Sequence, residues 1–149
     1  MTDKSAVPET LTPEQQQALE QQREIWVREQ FQKANRFLAE KGIIPGKVLV
    51  DQSRYLAPYV AVWKMETAKP AKKTYWVISG DLPTDVVEVG AAANPREVLR
   101  HFSLNWQLKA ENLIRSGAVR DKTQAKFANL LISRAQSLYL MQNDEALWA

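Results

Sequence analysis

Four residues in this chain have types and spacing that could do chemistry together. Ser79, Asp81 and Asp85 fall within one ten-residue stretch, WVISGDLPTD (Trp76 to Asp85), and His101 is the only histidine. A histidine near a carboxylate can serve as a general acid or base near neutral pH. A serine beside that pair would complete the residue types of a hydrolytic triad. The sequence around Ser79 is not the G-x-S-x-G elbow that presents such a nucleophile, so the triad rests on residue types alone. Asp81, Asp85 and His101 could also suit a hard or borderline metal ion, but neither HExxH nor an EF-hand loop is present. The expectation is therefore no metal and no cofactor. The five glycines form neither a Walker loop nor a dinucleotide fingerprint.

The same stretch has a simpler use. Gly80 allows a sharp change of backbone direction, and Pro83 fixes the chain three residues later. Asp81 and Thr84 are types that bond to nearby amides and hold a turn. The stretch is expected between a strand and the following helix. The candidate catalytic residues are His101, Asp81 and Asp85, on the condition that His101 faces the loop. The candidate ligand-binding residues are Ser79, Gly80, Thr84, Arg54, Tyr55 and Arg100. Arg54 and Tyr55 belong to a second polar and aromatic loop, Ser53 to Tyr59, and Arg100 adjoins His101.

The elements that must position these residues can be read from capping and periodicity. Residues 1–12 are polar and without period, a disordered tail; residues 13–149 form a single domain. Thr12-Pro13-Glu14-Gln15 has the spacing of a capping box, and the helix it starts should stop at Gly42. Its first half has only Leu19 to bury and should project or fray. Residues 59–66 and 74–79 alternate as strands, with the turn Lys69-Pro70-Ala71-Lys72 between them. Val86, Val87 and Val89 suit another short strand or a packed loop.

Asn94-Pro95-Arg96-Glu97 begins a second long helix, which Gly117 ends. Leu104 and Leu108 widen its apolar surface and predict a central helix. Asp121 begins a third helix to about Gln142, with Leu130 and Ile132 widening its face. Leu147 and Trp148 should dock back on the domain or on a neighbour. The five tryptophans fall one each to the first helix, the two strands, the second helix and the tail, which predicts a shared core. The fold class is α+β: a small antiparallel sheet of about three strands packed against three helices, in the order helix-sheet-helix-helix, with the helices covering one face.

Composition narrows the function classes. The chain has 149 residues, no cysteine, 45% hydrophobic and 25% charged residues, which fits one globular domain without disulfides or thiolate chemistry. No apolar run reaches membrane-spanning length, and the N-terminus lacks a secretory pattern, so the expected location is the cytoplasm, with no membrane partner. The net charge of +3 is not a concentrated basic face. Nucleic-acid binding would need Lys69, Lys72 and Lys73 to share a face with Arg115, Arg120, Lys122 and Lys126.

The segments SRYLAPYVAVWK, WVISGDLPTD, NPREVLRHFSLNWQLKAENL and LISRAQSLYLMQNDEALW resemble a family of small bacterial proteins known as a domain of unknown function. The resemblance runs from about Trp26 onward. It implies a bacterial cytoplasmic setting and transfers no activity, cofactor or catalytic residue. The leading expectation is a non-enzymatic binding or protein-interaction domain, with an unknown protein partner or small molecule and a homodimer through the helices. The alternatives are a small hydrolase using His101 with Asp81 or Asp85, and a weak nucleic-acid binder through the basic turns.

Overall fold

The computed structural model describes residues 10–68, 70 and 72–149. The tail expected over 1–12 therefore lies outside the described residues as far as residue 9, as do Lys69 and Ala71 of the expected turn. Helix α1 spans Pro13–Glu40, and Thr12 closes the capping box with Gln15. The helix ends in a Schellman motif. Gly42, at φ 77°, donates its N–H to Ala39 O, and the Ile43 N–H reaches Leu38 O.

Among the described residues five strands follow: β1 Pro45–Val48, β2 Arg54–Leu56, β3 Val60–Thr67, β4 Thr74–Gly80 and β5 Asp85–Glu88. They form one antiparallel sheet in which β3 pairs with β4 on one side and β4 with β5. The other side of β3 is shared: β1 pairs near Thr67 and β2 near Val60. Five strands replace the expected three because β1 and β2, four and three residues long, are too short to show a period.

Between β1 and β2 the chain makes a 3-10 turn, Val50–Gln52, which breaks the edge pairing. The Ser53 hydroxyl repairs it by accepting from the Lys64 N–H at 3.0 Å while donating to Leu49 O at 2.9 Å.

After β5 come α2 Pro95–Arg115, α3 Lys122–Gln142 and the single-turn α4 Glu145–Trp148. The side chains of Asn94 and Asp121 cap α2 and α3.

The helices cover both faces of the sheet, not one. Ala61, Trp63, Met65 and Val77 pack with Ala34 and Leu38 of α1. Their neighbours Val60, Val62, Trp76 and Ile78 point the opposite way, against Leu99, Phe102 and Trp106 of α2 and Leu131 and Leu138 of α3. This follows from the two-residue period of a strand: β3 has apolar residues at both odd and even positions, so both of its faces need cover. The tryptophans accordingly divide between two cores, with Trp26 and Trp63 on the α1 side and Trp76, Trp106 and Trp148 on the other.

Two further expectations are corrected by the same packing. Leu104 and Leu108 stay 53% and 60% exposed on the outer side of α2, which buries Val98, Leu99, Phe102, Trp106 and Ala110 instead. Leu130 and Ile132 also remain exposed. In α1 the only buried residues are Gln30, Ala34 and Leu38, and everything from 13 to 25 is exposed. A helix of 28 residues is about 42 Å long and outruns an eight-residue strand of about 26 Å, so its first half projects.

Candidate functional site

The stretch Trp76–Asp85 is a hairpin connection from β4 to β5, not a strand-to-helix loop. Gly80 has φ 140°, and a Cβ there would lie 2.3 Å from Tyr59 O, in the turn just before the neighbouring strand β3. Only glycine fits this close approach. Its carbonyl accepts from Lys33 Nζ of α1 at 3.3 Å.

The oxygens of Ser79 and Asp85 are occupied, and Asp81 faces an arginine. Ser79 is fully buried, and its hydroxyl accepts from the Trp63 indole at 3.1 Å. The exposed Asp81 carboxylate lies 3.7 Å from Arg134 of α3, which also donates to the Asp81 carbonyl at 2.7 Å. Asp85 uses one carboxylate oxygen to accept from the Val86 N–H at 2.8 Å and the other to accept from the Trp106 indole at 3.0 Å. A recess of about 250 Å³ adjoins Asp81, Leu82, Arg134 and Ser137.

His101, half-buried on α2, meets the Phe102 ring edge-on at 5.2 Å. Among the described residues no hydrogen bond or ion pair joins it to Asp81 or Asp85. Nor does any group of three His, Asp or Glu side chains among those residues have the arrangement to hold a metal ion. Arg100 is exposed and Thr84 half-buried, and neither is brought to the others by a hydrogen bond.

Arg54 and Tyr55 are separated by the pleat of β2. Tyr55 packs on the α1 side, its ring centroid 4.7 Å from that of Trp63. Burial pushes its phenol above the ordinary tyrosine value, opposed by the Ser53 hydroxyl and the charge of Arg23. Arg54 instead enters a different site. Its guanidinium donates to Leu147 O and lies 5.4 Å from the centre of the Trp148 ring.

That site is a cleft of about 380 Å³ between the Val50–Gln52 turn, the start of β2, the start of α2 and Trp148. Arg54 and Arg96 both line it, with Asp51, Gln52, Ser53 and Asn94 as further polar neighbours. Lys64 Nζ steadies Gln52 by donating to Oε1 at 2.6 Å and sits 5.2 Å over the Trp76 ring.

Arg96 occupies the first turn of α2, where the helix dipole disfavours a cation. Its compensation comes from the end of α3 and the segment after it. Arg96 donates from Nε to Gln142 O, at the negative end of α3, at 2.8 Å, and from Nη2 to the Glu145 carboxylate at 2.6 Å. The Arg96 guanidinium holds the Glu145 carboxyl below the usual glutamate value, through the hydrogen bond first and its charge second. Trp148 anchors the segment by packing on the α2–α3 core and donating its indole N–H to Met141 O at 3.0 Å. A guanidinium has five N–H donors. The hydrogen bonds to this segment use one on Arg54 and two on Arg96.

Of the sequence candidates only Arg54 reaches this cleft. Arg96, Asn94 and Trp148 were missed as site residues. The available signal was Arg96 itself, a cation set against the dipole of its own helix. Of the two basic turns, Lys72 lies 3.8 Å from Glu66 and Arg115 lies 2.6 Å from Glu111, so part of each cluster's charge is offset. No helix among the described residues is long and apolar enough to cross a membrane.

The sequence model of the family described as Domain of unknown function (DUF4826) matches residues 20–148, and the chain belongs to that family. No curated protein and no solved structure matches the chain.

Proposed function

We propose that this DUF4826 chain is a non-enzymatic binding domain whose binding site is the Arg54–Arg96 cleft, and that its ligand carries an anionic group. The observation that carries this reading is the convergence of two guanidinium groups, from β2 and from the start of α2, on one open cleft. Guanidinium forks bind carboxylate and phosphate with directional, charge-assisted hydrogen bonds. The occupied oxygens of Ser79 and Asp85 favour binding over hydrolysis. The cysteine-free sequence is compatible with a reducing compartment, and the proposed location is the cytoplasm. Self-association through the projecting half of α1 would be an addition to it, and light scattering tests that addition separately.

The cleft is tested by titrating inorganic phosphate while following the arginine side-chain N–H resonances. Saturable shifts of Arg54 and Arg96, lost in Arg54→Ala, are the expected result. Shifts confined to other residues, or none, would reject the cleft as the site.

A further inference from the structure

The two arginines of the cleft already engage a peptide, the chain's own C-terminal segment, whose Trp148 forms one wall of the cleft. Glu145 supplies a carboxylate to Arg96 at 2.6 Å, Leu147 supplies a backbone carbonyl to Arg54, and the Trp148 ring lies under the Arg54 guanidinium at 5.4 Å. The three contacts are of different kinds and fall within four residues. Together they describe a ligand with an acid, a single helical turn of backbone, and an aromatic ring three positions after the acid.

The segment is held at its end by Trp148 and along its length by the two arginines, while its acidic residue stays open to solvent. Glu145 keeps 85% of its side chain exposed, and α4 is a single turn with no buried residue. Next to it the cleft still offers about 380 Å³ and the unused donors of both arginines.

We propose that the cleft receives a short acidic peptide with an aromatic residue, presented by a partner protein, and that residues 143–149 are an intramolecular stand-in for it. This rests on the cleft being the binding site, and it adds the class of partner. A tethered stand-in competes at a high effective concentration, so the partner's apparent affinity is reduced by the fraction of time the cleft is closed. The contacts require the acid and the ring together. A phosphate group alone would satisfy the guanidinium groups but leave the place of the Trp148 ring unfilled.

The test uses the full chain, ¹⁵N-labelled, and an unlabelled synthetic peptide of residues 143–149. Peptide binding should shift the Trp148 indole N–H, which leaves Met141 O when the segment is displaced. The Trp63 and Trp76 indoles, bonded inside the two cores, should stay in place. A peptide carrying Glu145→Gln and Trp148→Ala should have no effect at the same concentration. The full chain carrying those two substitutions should bind the unmodified peptide at least about tenfold more tightly than the wild type does.

The proposal is overturned if the folded double variant fails to bind the peptide. If that variant does not fold, a wild-type Trp148 signal unmoved by millimolar peptide overturns it equally. Phosphate binding at Arg54 and Arg96 without peptide binding would leave the cleft standing as the site and remove only the peptide. A concentration-dependent dimer abolished by Trp148→Ala would assign the segment to a second copy's cleft and overturn the partner-protein assignment.

Discussion

The Gly80 hairpin and the Arg54–Arg96 cleft have opposite relations between sequence and site. The hairpin gathers serine, glycine and two aspartates within a few residues, and each polar group meets a partner supplied by the fold: Trp63, Arg134, Trp106 and the Val86 amide. The cleft is assembled from segments with little local signature, bringing Arg54 of β2 to Trp148 of the C-terminal segment. Residues dense in turn chemistry are needed to make the turn, and that use consumes their hydrogen-bonding capacity. A binding site needs capacity left over, and here the surplus lies on two arginines whose local partners use only some of their donors.

If the hairpin is structural, damage to it should appear as lost stability. The largest effect is expected for Gly80→Ala. The new Cβ meets the Tyr59 carbonyl, and φ of 140° is strained for any other residue. A loss of about 3 kcal/mol, or roughly 6–12 °C in Tm, should be seen by calorimetry. A Tm within a degree of wild type would show that β4 and Tyr59 can part at little cost.

Asp85→Ala should cost less, about 2 kcal/mol, by leaving the Trp106 indole and the Val86 amide without their acceptors. Asp85→Asn should recover part of this, because the amide oxygen can still accept one of the two bonds. Denaturant unfolding of the two variants checks the order. Equal stability of Asp85→Ala and wild type would reopen a functional role for the carboxylate.

The contrast also explains what the sequence disclosed. Helix starts were legible because capping is local: Thr12 with Gln15 and Asn94 with Glu97 cap at the spacing their sequence suggests, and Asp121 caps α3 through the Thr123 N–H. The hairpin was legible as a turn for the same reason, although its exit to β5 was not. The need for cover on both faces was legible in β3, whose odd and even positions are both apolar, but that pattern does not say which helix covers which side. Leu104 and Leu108 misled because an apolar residue at helical spacing is not obliged to be buried. The cleft was least legible of all. Its members are brought together only by tertiary packing, and Ser53 looked like a loop residue although its hydroxyl completes the β3 edge.

The smallest expected effect sharpens the comparison from the cleft side. Arg96 lowers the Glu145 carboxyl below its ordinary value, so the ionised form is favoured in the folded chain. For a depressed folded value, the linked stabilisation is present above the unfolded glutamate value and is lost as pH falls through the folded one. Because Glu145 is exposed, the change should barely move Tm and should be read locally instead. The Trp148 indole N–H should hold its position from neutral pH down to the ordinary glutamate range. Below that range it should move toward the position seen in Glu145→Gln, while the buried Trp76 indole stays put. In Glu145→Gln the acid-induced movement should disappear. If it persisted unchanged, the segment would be held by Trp148 packing alone, and the Arg96 contact would contribute nothing to keeping the cleft closed.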